Sequence, residues 1–341
     1  MSENIPLPRR PRGNTLAFSR PIPIAGFAAV GGKREMRGPF SNAFIATSSD
    51  DFFGEASWEK AEMRMQDLAA NAALGRAQVS RAAVDFILAG DLLNQCIASA
   101  FAARSHTAPF LGLYGACSTM AESLILAACL LDGGFGRRAL CVTSSHFCAA
   151  ERQYRFPLEY GSVRPPSAQW TVTASGAAVL EAGRPGPGIV AANVGVVQDF
   201  NVSDINNMGA AMAPAACETL LSFFRDTSTR PEDYDAIFTG DLGRLGRDLL
   251  AELLLREGYP AGDLLCDCGT LIFSAEDRDV CMGGSGCGCG AAVLCTHILP
   301  EMCAGRLQNV LFVATGALMS PTSSFQGESI PSIAHLVHIV A

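Results

Sequence analysis

Two octapeptides constrain this chain more than any other feature. Residues 85–92 read DFILAGDL and residues 235–242 read DAIFTGDL. Both fit Asp-x-Ile-x-x-Gly-Asp-Leu, and they start 150 positions apart (235 against 85). A second echo follows: ALCVTSS at 139–145 resembles VLFVATG at 310–316, now 171 apart (310 against 139). Between the echoes, GAC ahead of one Ala/Leu-rich run corresponds to SGCGCG ahead of another. The order strand, cysteine-bearing turn, helix, strand therefore occurs twice, and three echoes in one order indicate duplication. A chain of 341 residues can hold one large domain made of two similar halves. The Gly/Pro-rich stretch GRPGPG at 183–188 separates them. The expected organisation is a flexible tail over 1–15, a first half over 16–183 and a second over 184–341.

Short β-branched apolar runs alternate with longer Ala/Leu-rich runs. They predict strands at 83–89, 110–114, 139–143, 169–173, 176–181, 188–197, 236–239, 265–268 and 310–314. Helices are predicted at 58–75, 117–131, 214–227, 246–257 and 290–304. This alternation reads as an α/β fold with buried parallel strands.

Composition narrows the function classes. Hydrophobic residues make up 49% and charged residues 17%, so a large core is expected and wholesale disorder is not. A net charge of −8 argues against a nucleic-acid partner. The N-terminal MSENIPLPRRPRGNT lacks the apolar core of a signal peptide. The longest unbroken apolar stretch, 124–131, is far short of the ~20 residues that cross a bilayer. The expectation is a soluble protein with its 13 cysteines free in a reducing compartment. Six of those cysteines fall between 266 and 295, but as Cys-x-Cys rather than the Cys-x2-Cys of zinc ribbons. No metal site is assigned to them. GGSGCGCG at 283–290 lacks a phosphate-loop lysine and reads as a crowded turn between the halves.

Duplicated α/β halves with a cysteine on the turn into the first buried helix resemble the thiolase-like fold, and 3-ketoacyl-ACP synthase III within it. GACSTMAESL, RALCVTSSHF, ERQYRFPLEYG and AQWTVTASGAAVL, in that order over 115–180, resemble more narrowly the stage V sporulation protein AD family. The resemblance implies a thiolase-like, duplicated α-β-α-β-α layered fold and a homodimer. It also implies binding of dipicolinic acid (pyridine-2,6-dicarboxylate) for uptake into the developing spore, with a role in germination as a further implication. The implied partners are the membrane subunits of the spore's dipicolinate channel, and the implied location is soluble or peripheral at the spore inner membrane. No cofactor is implied, although calcium accompanies dipicolinate in spores.

Cys117 occupies the nucleophile position of the condensing enzymes. A helix N-terminus there would favour a thiolate. A condensing enzyme also needs a base and an oxyanion partner. The position of its histidine falls at Gly240–Asp241, and the turn that carries its asparagine is GGSGCGCG, which has none. Of the five histidines, only His146 is placed at the end of a core strand near Cys117. Three readings of Cys117 stay open: a nucleophile paired with His146 in an acyltransferase, a pocket-lining residue without chemistry, and a small packing residue. A scaffold for membrane subunits, with a vestigial pocket, is a third class of function.

A flat dianion needs donors at both ends and a slot for its ring. Backbone N–H groups and hydroxyls at Cys117, Ser118 and Thr119 suit one carboxylate. An arginine suits the other as a bidentate partner, and Arg152, Arg155 and Arg164 all lie in the insert between the strands at 139–143 and 169–173. Tyr154, Phe156, Tyr160 and Trp170 are ring candidates. Ser285 and His146 complete the expected ligand-binding set, with Asp241 nearby facing an arginine or a calcium ion.

Overall fold

A computed structural model of the chain describes residues 13–341. Most of the tail expected over 1–15 lies outside the described residues, and Thr15 already opens the first strand. The first half contains β1 (Thr15–Gly31), β2 (Ala46–Thr47), α1 (Trp58–Ala77), β3 (Phe86–Gly90), α2 (Ile97–Ala103) and β4 (Phe110–Gly112). It continues with α3 (Thr119–Asp132), β5 (Arg138–Ser145), α4 (Phe147–Glu151), β6 (Trp170–Thr171) and β7 (Ala174–Glu181). The second half contains β8 (Gly188–Asn193), α5 (Met208–Thr227), β9 (Ala236–Thr239), α6 (Gly243–Arg256), β10 (Leu265–Asp267) and α7 (Cys268–Leu271). It ends with β11 (Gly284–Ser285), α8 (Cys287–Val293), α9 (Leu299–Cys303), β12 (Asn309–Ala317), α10 (Pro321–Phe325) and β13 (Ser332–Val340).

The duplication is visible in the topology. The strands run β10-β9-β12-β13-β8-β1-β7-β5-β3-β4, so each half contributes the same five-strand order. The α1 and α5 helices, 20 residues each, start at 58 and 208, the same 150-residue offset as the octapeptides. Each starts with a polar cap at the matching position: Ser57 accepts from Lys60 N, and Asn207 accepts from Ala210 N.

The expectation of parallel strands needs correcting. β3 pairs in parallel with β4 and β5, as β9 does with β10 and β12. The β5–β7, β1–β7, β12–β13 and β8–β13 pairs are antiparallel. The predicted strand at 169–173 is only β6, which pairs with β11 in a separate two-stranded sheet. β1 joins the halves: residues 15–23 pair with β8, and residues 24–31 pair with β7.

α3 and α8 fill the layer between the two halves of the large sheet, while α1 and α5 cover the outer faces. Met120, Leu124 and Leu131 on α3 are almost wholly buried. Each contributes about 1.5–3 kcal/mol through burial alone. The central layer is rich in small residues because the two cysteine-bearing turns must approach the opposite sheet. At Gly316 on β12 an added Cβ would stand 2.3 Å from the Gly115 carbonyl. Gly286 has φ +99°, and a side chain there would strike the Ser145 hydroxyl at 2.7 Å.

Candidate functional site

The turn before α3 is tighter than a plain helix start. Residues 116–118 form one turn of 3-10 helix, with Ala116 in the left-handed region at φ +49°. Ser118 N–H donates to the Gly115 carbonyl and Thr119 N–H to the Ala116 carbonyl. The hydroxyls turn inward as well: Ser118 Oγ donates to Gly115 O at 2.6 Å, and Thr119 Oγ1 to Ala116 O at 2.7 Å. The donors expected for a ligand carboxylate at Ser118 and Thr119 are therefore consumed within the turn. Ser118 is fully buried and is not part of the cavity wall.

Cys117 does line a cavity of about 230 Å³. Behind it stands Asp241, at the end of the octapeptide strand of the other half. Asp241 Oδ2 accepts from Gly286 N at 2.8 Å and Oδ1 accepts from Thr315 Oγ1 at 2.9 Å, with the Cys117 thiol as a further close neighbour of the carboxyl. Burial pushes the Asp241 carboxyl up to about 7 despite these neighbours, which favour its charged form. Burial pushes the Cys117 thiol well above its ordinary value, and the Asp241 charge raises it further. Reactive thiolates sit in electropositive, partly exposed surroundings. Cys117 sits in the reverse, as a buried thiol beside an acid.

His146 is not its base. It caps α4, accepting from Ala149 N through Nδ1, and its Nε2 lies 2.7 Å from the Asp51 carbonyl. Burial lowers its pKa. None of the five histidines lines the cavity.

The insert after β5 supplies the polar wall. Glu151 ends α4 and holds two arginines. Arg155 Nε donates to Glu151 Oε2 at 3.0 Å, and Arg164 Nη2 donates to Oε1 at 2.7 Å. Thr171 Oγ1 donates to the same Oε1 at 3.0 Å. Arg164 also donates through Nη1 to the Gln169 carbonyl. Two guanidiniums against one carboxylate leave this wall with a single net positive charge. Ser285, Tyr154 and Tyr114 line the cavity too, and Ile205 and Met319 add apolar wall. Gln169 was not anticipated. It is buried in the wall, and its Nε2 donates to the carbonyls of Asp241 and Gly284.

The expected site residues thus divide. Cys117, Arg155, Arg164 and Ser285 meet at one cavity, and Ser118, His146, Arg152 and Trp170 do not line it. Arg152 is committed to an ion pair with Glu59 and lies over the Trp58 ring. Trp170 stacks on Phe147 with ring centroids 4.1 Å apart, under Arg34 and Arg164. Phe156 and Tyr160 are almost fully exposed. Asp241 faces a thiol, a hydroxyl and a backbone amide rather than an arginine. Glu151 carried a signal that was passed over, since Glu151 and Arg155 stand at i, i+4. The clustered cysteines are dispersed: Cys287 Sγ donates to the Ser144 carbonyl, while Cys268, Cys289 and Cys295 are core residues.

The stage V sporulation protein AD profile matches residues 12–340. This chain belongs to the stage V sporulation protein AD family. Stage V sporulation protein AD of Bacillus subtilis (strain 168) is 43% identical over 321 residues, which cover 94% of this chain and 95% of that protein. Among solved structures, 3-oxoacyl-[acyl-carrier-protein] synthase III from Aquifex aeolicus VF5 matches with a TM-score of 0.59 and 12% identity. That match covers 94% of this chain and all of the synthase. Cerulenin-bound OleA from Xanthomonas matches with a TM-score of 0.63 at 12% identity, over 95% of this chain and 100% of that one. At such identities the likeness is one of fold: the chain is thiolase-like, and its fold neighbours are condensing enzymes.

Proposed function

We propose that the cavity beside Cys117 binds dipicolinic acid without chemistry, as the step by which this sporulation protein helps load the acid into the developing spore. The family resemblance supplies the identity of the ligand. The observation that carries the reading is the pairing of Cys117 with Asp241, where a condensing enzyme needs a base, beside a wall of two arginines. Burial of Cys117 disfavours the thiolate that an attack on an acyl group would need. A guanidinium pair with one net positive charge suits a carboxylate. Calcium, in this reading, arrives with the ligand as its chelate.

The assembly belongs to the same proposal. β4 is the outermost strand of its sheet, and Leu111, Tyr114, Phe101 and Ile97 around it are all more than a third exposed. An exposed apolar edge favours pairing with a second copy. Among the described residues no helix is long and apolar enough to cross a membrane. Attachment to the spore inner membrane would come through membrane subunits.

Calorimetric titration with pyridine-2,6-dicarboxylate, with the 3,5-isomer as control, tests the reading. Saturable binding of the 2,6-isomer alone is expected. An absence of heat with and without calcium, together with acylation of Cys117 by an acyl-CoA, would favour the acyltransferase.

A further inference from the structure

A second basin of about 430 Å³ lies against the first, floored by Phe147, Trp170 and Leu158. Arg155, Ser162 and Arg164 belong to the walls of both cavities, so the two arginines form a partition between them. Glu151, which holds both arginines, lines only the inner side. On the outer side stands Arg278, exposed and in no ion pair among the described residues. The acid on that rim, Asp279, faces Arg34 at 3.3 Å. The outer basin therefore presents three guanidiniums and one carboxylate that is already engaged. The terminal nitrogens of Arg155 carry no hydrogen bond among the described residues, because only its Nε meets Glu151.

We infer that the outer basin is a capture site for a small carboxylate, and that Glu151 is a displaceable latch between it and the inner cavity. This rests on the reading of the inner cavity as a dicarboxylate site. The incoming anion first meets Arg278 and the free end of Arg155. It then replaces Glu151 as the arginines' partner while passing inward. Exchange of one carboxylate for another conserves the number of ion pairs, so the step affects rate more than affinity. The Arg155, Arg164 and Glu151 side chains are 29%, 17% and 17% exposed, wet enough for such an exchange. Displaced Glu151 keeps the Thr171 hydroxyl as a donor.

Trp170 on the outer floor is a built-in reporter, since the chain has one other tryptophan, Trp58. Stopped-flow fluorescence of the full-length Trp58→Phe protein mixed with pyridine-2,6-dicarboxylate should show two phases. The fast phase rises with ligand concentration, and the slow phase saturates. Arg278→Ala should raise the half-saturating concentration about tenfold and leave the limiting rate unchanged. Glu151→Gln should raise the limiting rate about fivefold or more. A single phase whose rate stays linear in ligand, or Arg278→Ala traces that superimpose on the parent, would overturn the capture step. Calorimetry on the same protein separates the two ideas. Saturable heat with single-phase kinetics rejects the outer basin alone, and no heat rejects the inner-site reading as well.

Discussion

The two cysteine-bearing turns are products of one duplication, and they have diverged in opposite directions. Cys117 faces a cavity, and Cys287, its counterpart in the second half, is sealed. Around Cys287 lies a closed polar network: Gln66 Nε2 donates to Ser99 Oγ and Ser144 Oγ, Ser144 Oγ donates to Glu62, and Ser99 donates to Asp91. Asp91 is the octapeptide counterpart of Asp241. The loop that follows explains the difference. After β5 the chain takes residues 146–173 to return to the sheet, and these carry Glu151, Arg155 and Arg164. After β12 the return needs only 318–331. One turn gained an insert that roofs a cavity, while the other closed on its own hydrogen bonds. The polar wall of the cavity came with the longer loop, not with the cysteine.

The contrast can be broken most directly at Arg164. Removing it leaves Glu151 short of a partner and strips the wall of its net positive charge. Calorimetry of Arg164→Ala should show affinity for pyridine-2,6-dicarboxylate falling about 100-fold. Retained affinity would mean that the insert does not make the site. Next comes Cys287→Ala, which opens a small void and frees the Ser144 carbonyl. It should lower the unfolding free energy by about 1–3 kcal/mol in denaturant titrations and leave binding unchanged. Lost binding with intact stability would erase the distinction between the turns.

The buried acids sharpen it further. The carboxyls of Asp241 and Glu35 are both pushed up to about 7. Between about pH 4 and pH 7 the native protein thus holds protons that the unfolded chain has released. These groups make stability fall as pH rises through that window, with no further loss from them above it. Thermal melts of Asp241→Asn should show a shallower decline over the same window, and an unchanged slope would remove the Asp241 assignment. The smallest effect belongs to Arg152→Ala. Its guanidinium serves Glu59, so affinity should stay within about twofold of the parent by calorimetry.

Much of the fold was legible. The octapeptide offset of 150 reappears in the bounds of α1 and α5, and most predicted strands coincide with observed ones. β1 escaped because Pro21, Pro23 and a polar Ser-Arg pair interrupt it. Those prolines sit near a break in register with β8, where a missing N–H costs little. β13 escaped because SIAHLVHIV carries two histidines. His335 is buried and His338 half-buried, and burial lowers the pKa of each to about 4. Residue types and order sufficed to bring Cys117, Arg155, Arg164 and Ser285 to one cavity. They could not separate Arg152 from its neighbours, since the choice depends on which arginine finds Glu59 and which finds Glu151. Nor could they reveal that Ser118 spends its donors within a 3-10 turn.

β1 has a further consequence, for the order of events on the ribosome. This 17-residue strand is made first, yet its antiparallel partners end at residues 181 and 193. Apart from the two-residue contact with β2, more than half of the chain must emerge before this strand meets its antiparallel partners. The nascent protein therefore carries a long unmatched ribbon during translation, and the two halves reach their final form together rather than in succession.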